Sequence, residues 1–148
     1  MVRHLIAASG AVAALVAIPL APAAAADNSR VLLLDEGQVR CQVSADDIAR
    51  GGGPMVVCQR TDGLPFAQSS WSAEKYSERL PVAVKEGTGE FYWAKGSVPD
   101  TPDATVLNTG QTIHLYGWTI EADRLRTRIA YDSSGHGIYI AKEDINQF

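Results

Sequence analysis

The stretch LRTRIAYDSSGHGIYI, residues 125–140, decides the fold class. Leu125, Thr127, Ile129 and Tyr131 alternate with Arg126, Arg128 and Ala130. That period of two suits a half-buried strand, whose successive side chains leave opposite faces. Residues 132–137 then collect turn formers, with Asp and Ser able to bond their own backbone and Gly able to take positive φ. The chain returns into Ile138, Tyr139 and Ile140, so the whole stretch predicts a β-hairpin.

The same pattern extends outward from this hairpin. Residues 111–116 and 118–121 are two further short runs upstream of it. Residues 81–85 and 90–95 flank Glu86-Gly87-Thr88-Gly89, a second hairpin signal, with Phe91 and Trp93 on one face and Tyr92 on the other. Nearer the start, Val39, Cys41 and Val43 alternate with Arg40 and Gln42, and Val56 shares a face with Cys58 across the Gly51-Gly52-Gly53-Pro54 break. Residues 31–34 form a compact apolar run. Thr61-Asp62-Gly63-Leu64-Pro65 reads as a turn and residues 96–103, with Pro99 and Pro102, as a surface loop. Residues 72–80 are the one plausible helix, with Tyr76 and Leu80 four apart on one face and Pro81 limiting it to two turns. The expectation is an all-β domain of seven or eight mostly antiparallel strands, a sandwich or a small barrel, with at most one short helix.

The first 26 residues read differently. Arg3 and His4 precede an apolar run over 5–20, and Ala24-Ala25-Ala26 satisfies the small-x-small rule for signal peptidase, so residues 1–26 predict a cleaved secretory signal peptide. Ser9, Gly10 and Pro19 interrupt the run and argue against an uncleaved anchor. No cysteine stands at the junction to take a lipid. Residues 27–148 are then a secreted β-domain, 122 of the 148 residues, with 12 basic against 17 acidic side chains and a net charge of −5. That balance argues against nucleic acid, whose partners carry basic patches, and no later stretch is long and apolar enough to span a membrane. Cys41 and Cys58 are the only cysteines, and in an oxidising compartment they predict a disulfide joining two core-facing strands.

No cofactor motif or catalytic residue emerges. Asp132, Ser133, Ser134 and His136 contain the residue types of a hydrolytic triad, but five neighbouring positions on a hairpin tip read as turn chemistry, since triad members come from separate elements. His114 and His136 have no metal-ligand spacing, and His114 is expected to point opposite to Ile113 and Leu115. Asp46 with Asp47, or Asp100 with Asp103, lacks the oxygen-rich loop that calcium requires. The set Trp71, Tyr76, Tyr92, Trp93, Tyr116 and Trp118 divides between core and contact surface. Alternation makes Tyr92 and Tyr116 the candidate binding residues.

Four segments carry a resemblance: 40–59 with both cysteines, Gly87-Thr88-Gly89-Glu90-Phe91-Tyr92-Trp93, residues 110–118 ending in Tyr116-Gly117-Trp118, and residues 126–137 ending in Gly135-His136-Gly137. In these the chain resembles small exported proteins of unknown function from mycobacteria and related actinobacteria. The resemblance implies export and a paired disulfide and brings no assigned activity. The expected function is therefore a non-enzymatic binding or envelope-associated β-domain, secreted or held in the cell envelope, with an envelope glycan, lipid or protein as partner. The alternatives are a small secreted hydrolase using His114 or His136 as acid/base and a purely structural envelope component.

Overall fold

The computed structural model describes residues 28–148; the expected signal peptide, residues 1–26, lies outside the described residues. Eleven strands run in chain order: β1 Ser29–Leu34, β2 Val39–Ser44, β3 Met55–Arg60, β4 Val82–Glu86, β5 Phe91–Ala94, β6 Thr105–Val106, β7 Thr112–Leu115, β8 Trp118–Ala122, β9 Thr127–Tyr131, β10 Gly137–Ile140 and β11 Ile145–Gln147. They form two sheets, of order β5-β4-β3-β2-β1-β6 and β11-β10-β9-β8-β7. All pairings are antiparallel except that of β1 with β6. The architecture is thus a sandwich. The only helical segment among the described residues is a 3-10 turn at Ile48–Arg50, so no described helix is long and apolar enough to cross a membrane.

Alternation explains the main core. Leu32, Leu34, Val39, Cys41, Val43, Val56, Cys58 and Ala83 project from the first sheet onto Trp118, Ile120, Ile129, Ile138, Ile140 and Ile145 of the second. Cys41 and Cys58 are directly opposed on β2 and β3 and joined by a disulfide, as predicted. The two sheets are also bonded to each other. Trp118 Nε1 donates to the Ser44 carbonyl at 3.2 Å, and Ser134 Oγ donates to the Gly87 carbonyl at 2.5 Å. Lys85 also points inward and is almost fully buried, donating to the Gly89 carbonyl at 2.8 Å and to Gln147 Oε1 at 3.3 Å. Burial without a carboxylate partner pushes its ammonium below the usual lysine range.

The other face of the first sheet is apolar as well. Val31, Met55, Val57, Val82 and Val84 form a second cluster, closed by Val98 from the connection between β5 and β6. Because β5 and β6 are opposite edges of that sheet, residues 95–104 run across it as a strap. Val98 is 3% exposed and its N–H donates to Gln59 Oε1 at 2.9 Å. Asp100 pairs with Arg40 at 3.3 Å. Residues 96–103 are a surface loop, as expected, and through the one buried side chain, Val98, they also cover a second apolar layer.

Three expectations are corrected. The strand number is eleven rather than seven or eight: the alternating and apolar runs correspond to nine of them, and β6 and β11, of two and three residues, are too short to show a period. Leu125 is 85% exposed, since β9 starts at Thr127 and Leu125 sits on the tip of the β8–β9 hairpin. Residues 72–80 form no helix; their backbone closes instead through a Trp71–Arg79 bridge.

Candidate functional site

Between β3 and β4 the chain leaves both sheets for 21 residues, 61–81. A connection this long without regular structure inside a folded domain is characteristically a binding or catalytic loop. Its first part turns on Asp62, whose carboxylate takes the Arg60 guanidinium at 2.5 Å and the Leu64 N–H at 3.0 Å. The hydrogen bond from Arg60 holds the Asp62 carboxyl below the usual range. Phe66 then enters the main core, fully buried, with its ring 6.1 Å from that of Trp93. Gln68 reaches Asp144 and the Ile145 carbonyl beside β11. These contacts pin the near end of the excursion to both sheets.

Its outer part is held mostly by its own backbone and side chains. Ser72 N–H donates to the Glu78 carbonyl and Leu80 N–H to the Ser70 carbonyl, both at 2.8 Å. The Glu74 and Lys75 N–H groups converge on Ser72 Oγ at 3.3 Å. Local bonding to a serine hydroxyl offers the backbone a partner other than the helical one, which accounts for the absence of the helix expected over 72–80. Arg79 donates from Nη1 to the Ala67 carbonyl at 2.6 Å, and its guanidinium lies 4.9 Å from the centre of the Trp71 ring. Glu74 pairs with Lys95 of the strap, which lowers its carboxyl, and Lys75 pairs with Glu78 at 3.7 Å.

The result is a pinned excursion carrying large apolar side chains outward. Leu64 is 56%, Trp71 54% and Tyr76 83% exposed, three of the six exposed large hydrophobic residues among those described. A shallow, open depression beside the indole is lined by Pro65, Trp71, Ser77, Glu78 and Arg79. Trp, Tyr and Arg are the side chains that most often anchor interfaces.

The residues singled out by alternation lie elsewhere. Tyr92 does face away from Phe91 and Trp93, yet that face belongs to the second apolar layer, where Tyr92 is half-buried beside Val82 and Val84. Burial, with Glu86 nearby, pushes its phenol above the usual range. Tyr116 is in the two-residue turn between β7 and β8, with φ of 53° followed by Gly117 at 84°, the pairing of left-handed residues that a tight hairpin requires. Its ring packs on the main core and its hydroxyl donates to the Ser29 carbonyl at 3.4 Å. The remaining aromatics do not line one face: Trp118 and Trp93 belong to the main core, far in the chain from Trp71 and Tyr76.

His114 does point outward from β7, opposite to Ile113 and Leu115. Its Nδ1 is 3.0 Å from Thr119 Oγ1, and that hydroxyl donates to Asp132 at 2.6 Å. Since the Thr119 proton is committed to the carboxylate, Nδ1 is the donor in its contact with Thr119. Nucleophile activation requires the reverse, a ring nitrogen accepting the hydroxyl proton. Ser134 serves the Gly87 carbonyl and its own turn, while the His136 ring packs over Gly89, where an added Cβ would lie 3.0 Å from it. Asp132, Ser134 and His136 thus have separate structural partners. Asp46 accepts from the Gly53 N–H at 2.7 Å and Asp47 pairs with Arg50 at 3.7 Å. Among the described residues no group of three or more His, Cys, Asp or Glu is placed to hold a metal ion.

Sequence reasoning included Trp71 and Tyr76 in its aromatic set but did not single them out. The usable signal was their setting: in AQSSWSAEKYSERL, residues 67–80, each is surrounded by polar or small neighbours, without the apolar run that accompanies the buried aromatics. No protein-family model, curated protein or solved structure matches this chain.

Proposed function

We propose that this chain is an exported, non-enzymatic binding domain of the cell envelope or its surroundings, and that residues 64–81 are its contact surface. The observation that carries the reading is the presentation of Leu64, Trp71 and Tyr76 on one excursion anchored through Phe66. Exposing such side chains costs solvation unless a partner covers them, and pinning them beforehand reduces the ordering cost of binding. Export is supported by the layout of residues 1–26 and is compatible with the Cys41–Cys58 disulfide.

Hydroxyl-radical footprinting of the purified protein, alone and with envelope material from the producing cell, tests the reading. Trp71 and Tyr76 are expected to lose labelling in the presence of the envelope fraction while Leu125, exposed on a distant hairpin tip, does not. Unchanged labelling of both aromatics would overturn it.

A further inference from the structure

We propose that the shallow, open depression beside Trp71 takes a neutral saccharide ring; this deepens the reading of residues 64–81 as the contact surface and rests on it. The indole carries the Arg79 guanidinium over its ring at 4.9 Å and is still 54% exposed; its open surface is apolar and suited to the C–H face of a pyranose. Around it stand a hydroxyl on Ser77, a carboxylate on Glu78 and a guanidinium on Arg79. Together they can donate to and accept from vicinal hydroxyls.

Charge selects among ligand classes. Lys75 pairs with Glu78 and Lys95 with Glu74, Asp62 is matched by Arg60, and Arg79 is bonded to the Ala67 carbonyl and stacked on Trp71. These pairings leave no concentrated field to draw in a polyanion or a polycation. Glu74 and Lys75 stand between Trp71 and Tyr76 in the chain, and carrying their charges into lipid with the two rings would be costly. A ligand with one apolar face and a rim of uncharged hydroxyls meets both conditions.

Titration of the purified protein with soluble neutral oligosaccharides of glucose, mannose and galactose, followed by tryptophan emission, tests the inference. Trp118 is fully buried and Trp93 half-buried, so a stacked sugar acts mainly on the Trp71 signal. At least one of the three is expected to give a saturable blue shift that is unchanged between about 0.05 and 0.5 M salt. Trp71→Ala is expected to weaken that binding about tenfold, the effect of losing one stacked aromatic contact, and Trp71→Phe to retain part of it. Three results would overturn the inference: no saturable response to about 10 mM of any of them, equal affinity in Trp71→Ala, or binding confined to an anionic polysaccharide and lost with salt. If envelope material still protects Trp71 and Tyr76 in the footprint, only the ligand class fails; if protection is absent too, the contact surface fails with it.

Discussion

Reducing the Cys41–Cys58 disulfide should lower stability by about 3 kcal/mol without changing the fold, which follows from the loop it closes and from where the sulfurs lie. The cysteines are 17 positions apart. The chain-entropy relation for a loop of that length gives about 3 kcal/mol at 25 °C, or roughly 10 °C in Tm for a domain of this size. The native state is little altered by reduction, because β2 and β3 keep their ladder and free thiols are small apolar groups that remain packed. Both cysteines are fully buried, so reduction needs an opening of the domain and should be slow in native buffer and fast in urea. Cys41→Ser should cost more than reduction by about 1–3 kcal/mol, since it also leaves a hydroxyl in the apolar core. The assay is urea unfolding of oxidised, reduced and Cys41→Ser protein with far-UV circular dichroism on each. A reduced protein with the same midpoint as the oxidised one, or a serine variant more stable than the reduced wild type, would refute the reasoning.

Gly137→Ala should destabilise the fold by about 3 kcal/mol or more, because an added Cβ would lie 2.1 Å from the Ile129 carbonyl oxygen and 2.7 Å from the Phe148 ring; a variant melting within a degree or two of wild type would contradict that geometry. Phe66→Ala should cost about 3–5 kcal/mol and make residues 64–81 the first site of limited proteolysis, since the ring anchors the excursion; unchanged cleavage there would show that the excursion is held by its polar contacts alone. Lys85→Met tests the buried ammonium. With its folded value lowered and an unfolded value of about 10.4, the unfolded chain binds more protons between the two, so the contribution of Lys85 to stability rises with pH across that window. Below the window its cost is constant. The variant should therefore match or exceed wild type at pH 7 by about 1 kcal/mol and lose that advantage as pH approaches 10; a difference independent of pH would refute the assignment.

What was legible in the sequence was whatever a period of two could carry. Val39, Cys41 and Val43 against Arg40 and Gln42 gave the inward cysteines, and the glycine-bearing turns at 86–89 and 132–137 gave two hairpins. The period failed where strands were too short, as in β6 and β11, and at Leu125, where the alternation runs on past the end of β9 into the hairpin tip. The same period does not separate exposed aromatics from covered ones. It places Tyr92 opposite to Phe91 and Trp93, which means solvent only where a sheet has one dry face. The sign of two dry faces was present in the unbroken apolar runs Met55-Val56-Val57-Cys58 and Val82-Ala83-Val84, since strands covered on both sides lose their alternation. What covers the second face, the strap carrying Val98, has two prolines and no period, so no local rule identified it.

The covered faces in turn restrict where a partner can sit. The first sheet is closed by the second sheet on one side and by the strap on the other, which leaves the outward face of the second sheet and the excursion. On that face the aromatic rings are already occupied. The Arg126 guanidinium stacks 3.8 Å from the centre of Tyr139, and that of Arg128 lies 4.9 Å from Phe148 while also pairing with Glu121 at 3.7 Å. Tyr139 and Phe148 further pack on each other at 4.9 Å. A ligand seeking either ring would have to displace a cation–π contact of about 0.5–1 kcal/mol before gaining its own. Trp71 carries a contact of the same kind, from Arg79 at 4.9 Å, so a ligand on that ring face meets the same cost, but the residue keeps 54% of its surface exposed. Tyr76 is 83% exposed. The aromatic surface open to a partner is therefore concentrated on the excursion, the longest described segment outside the sheets and pinned to both of them.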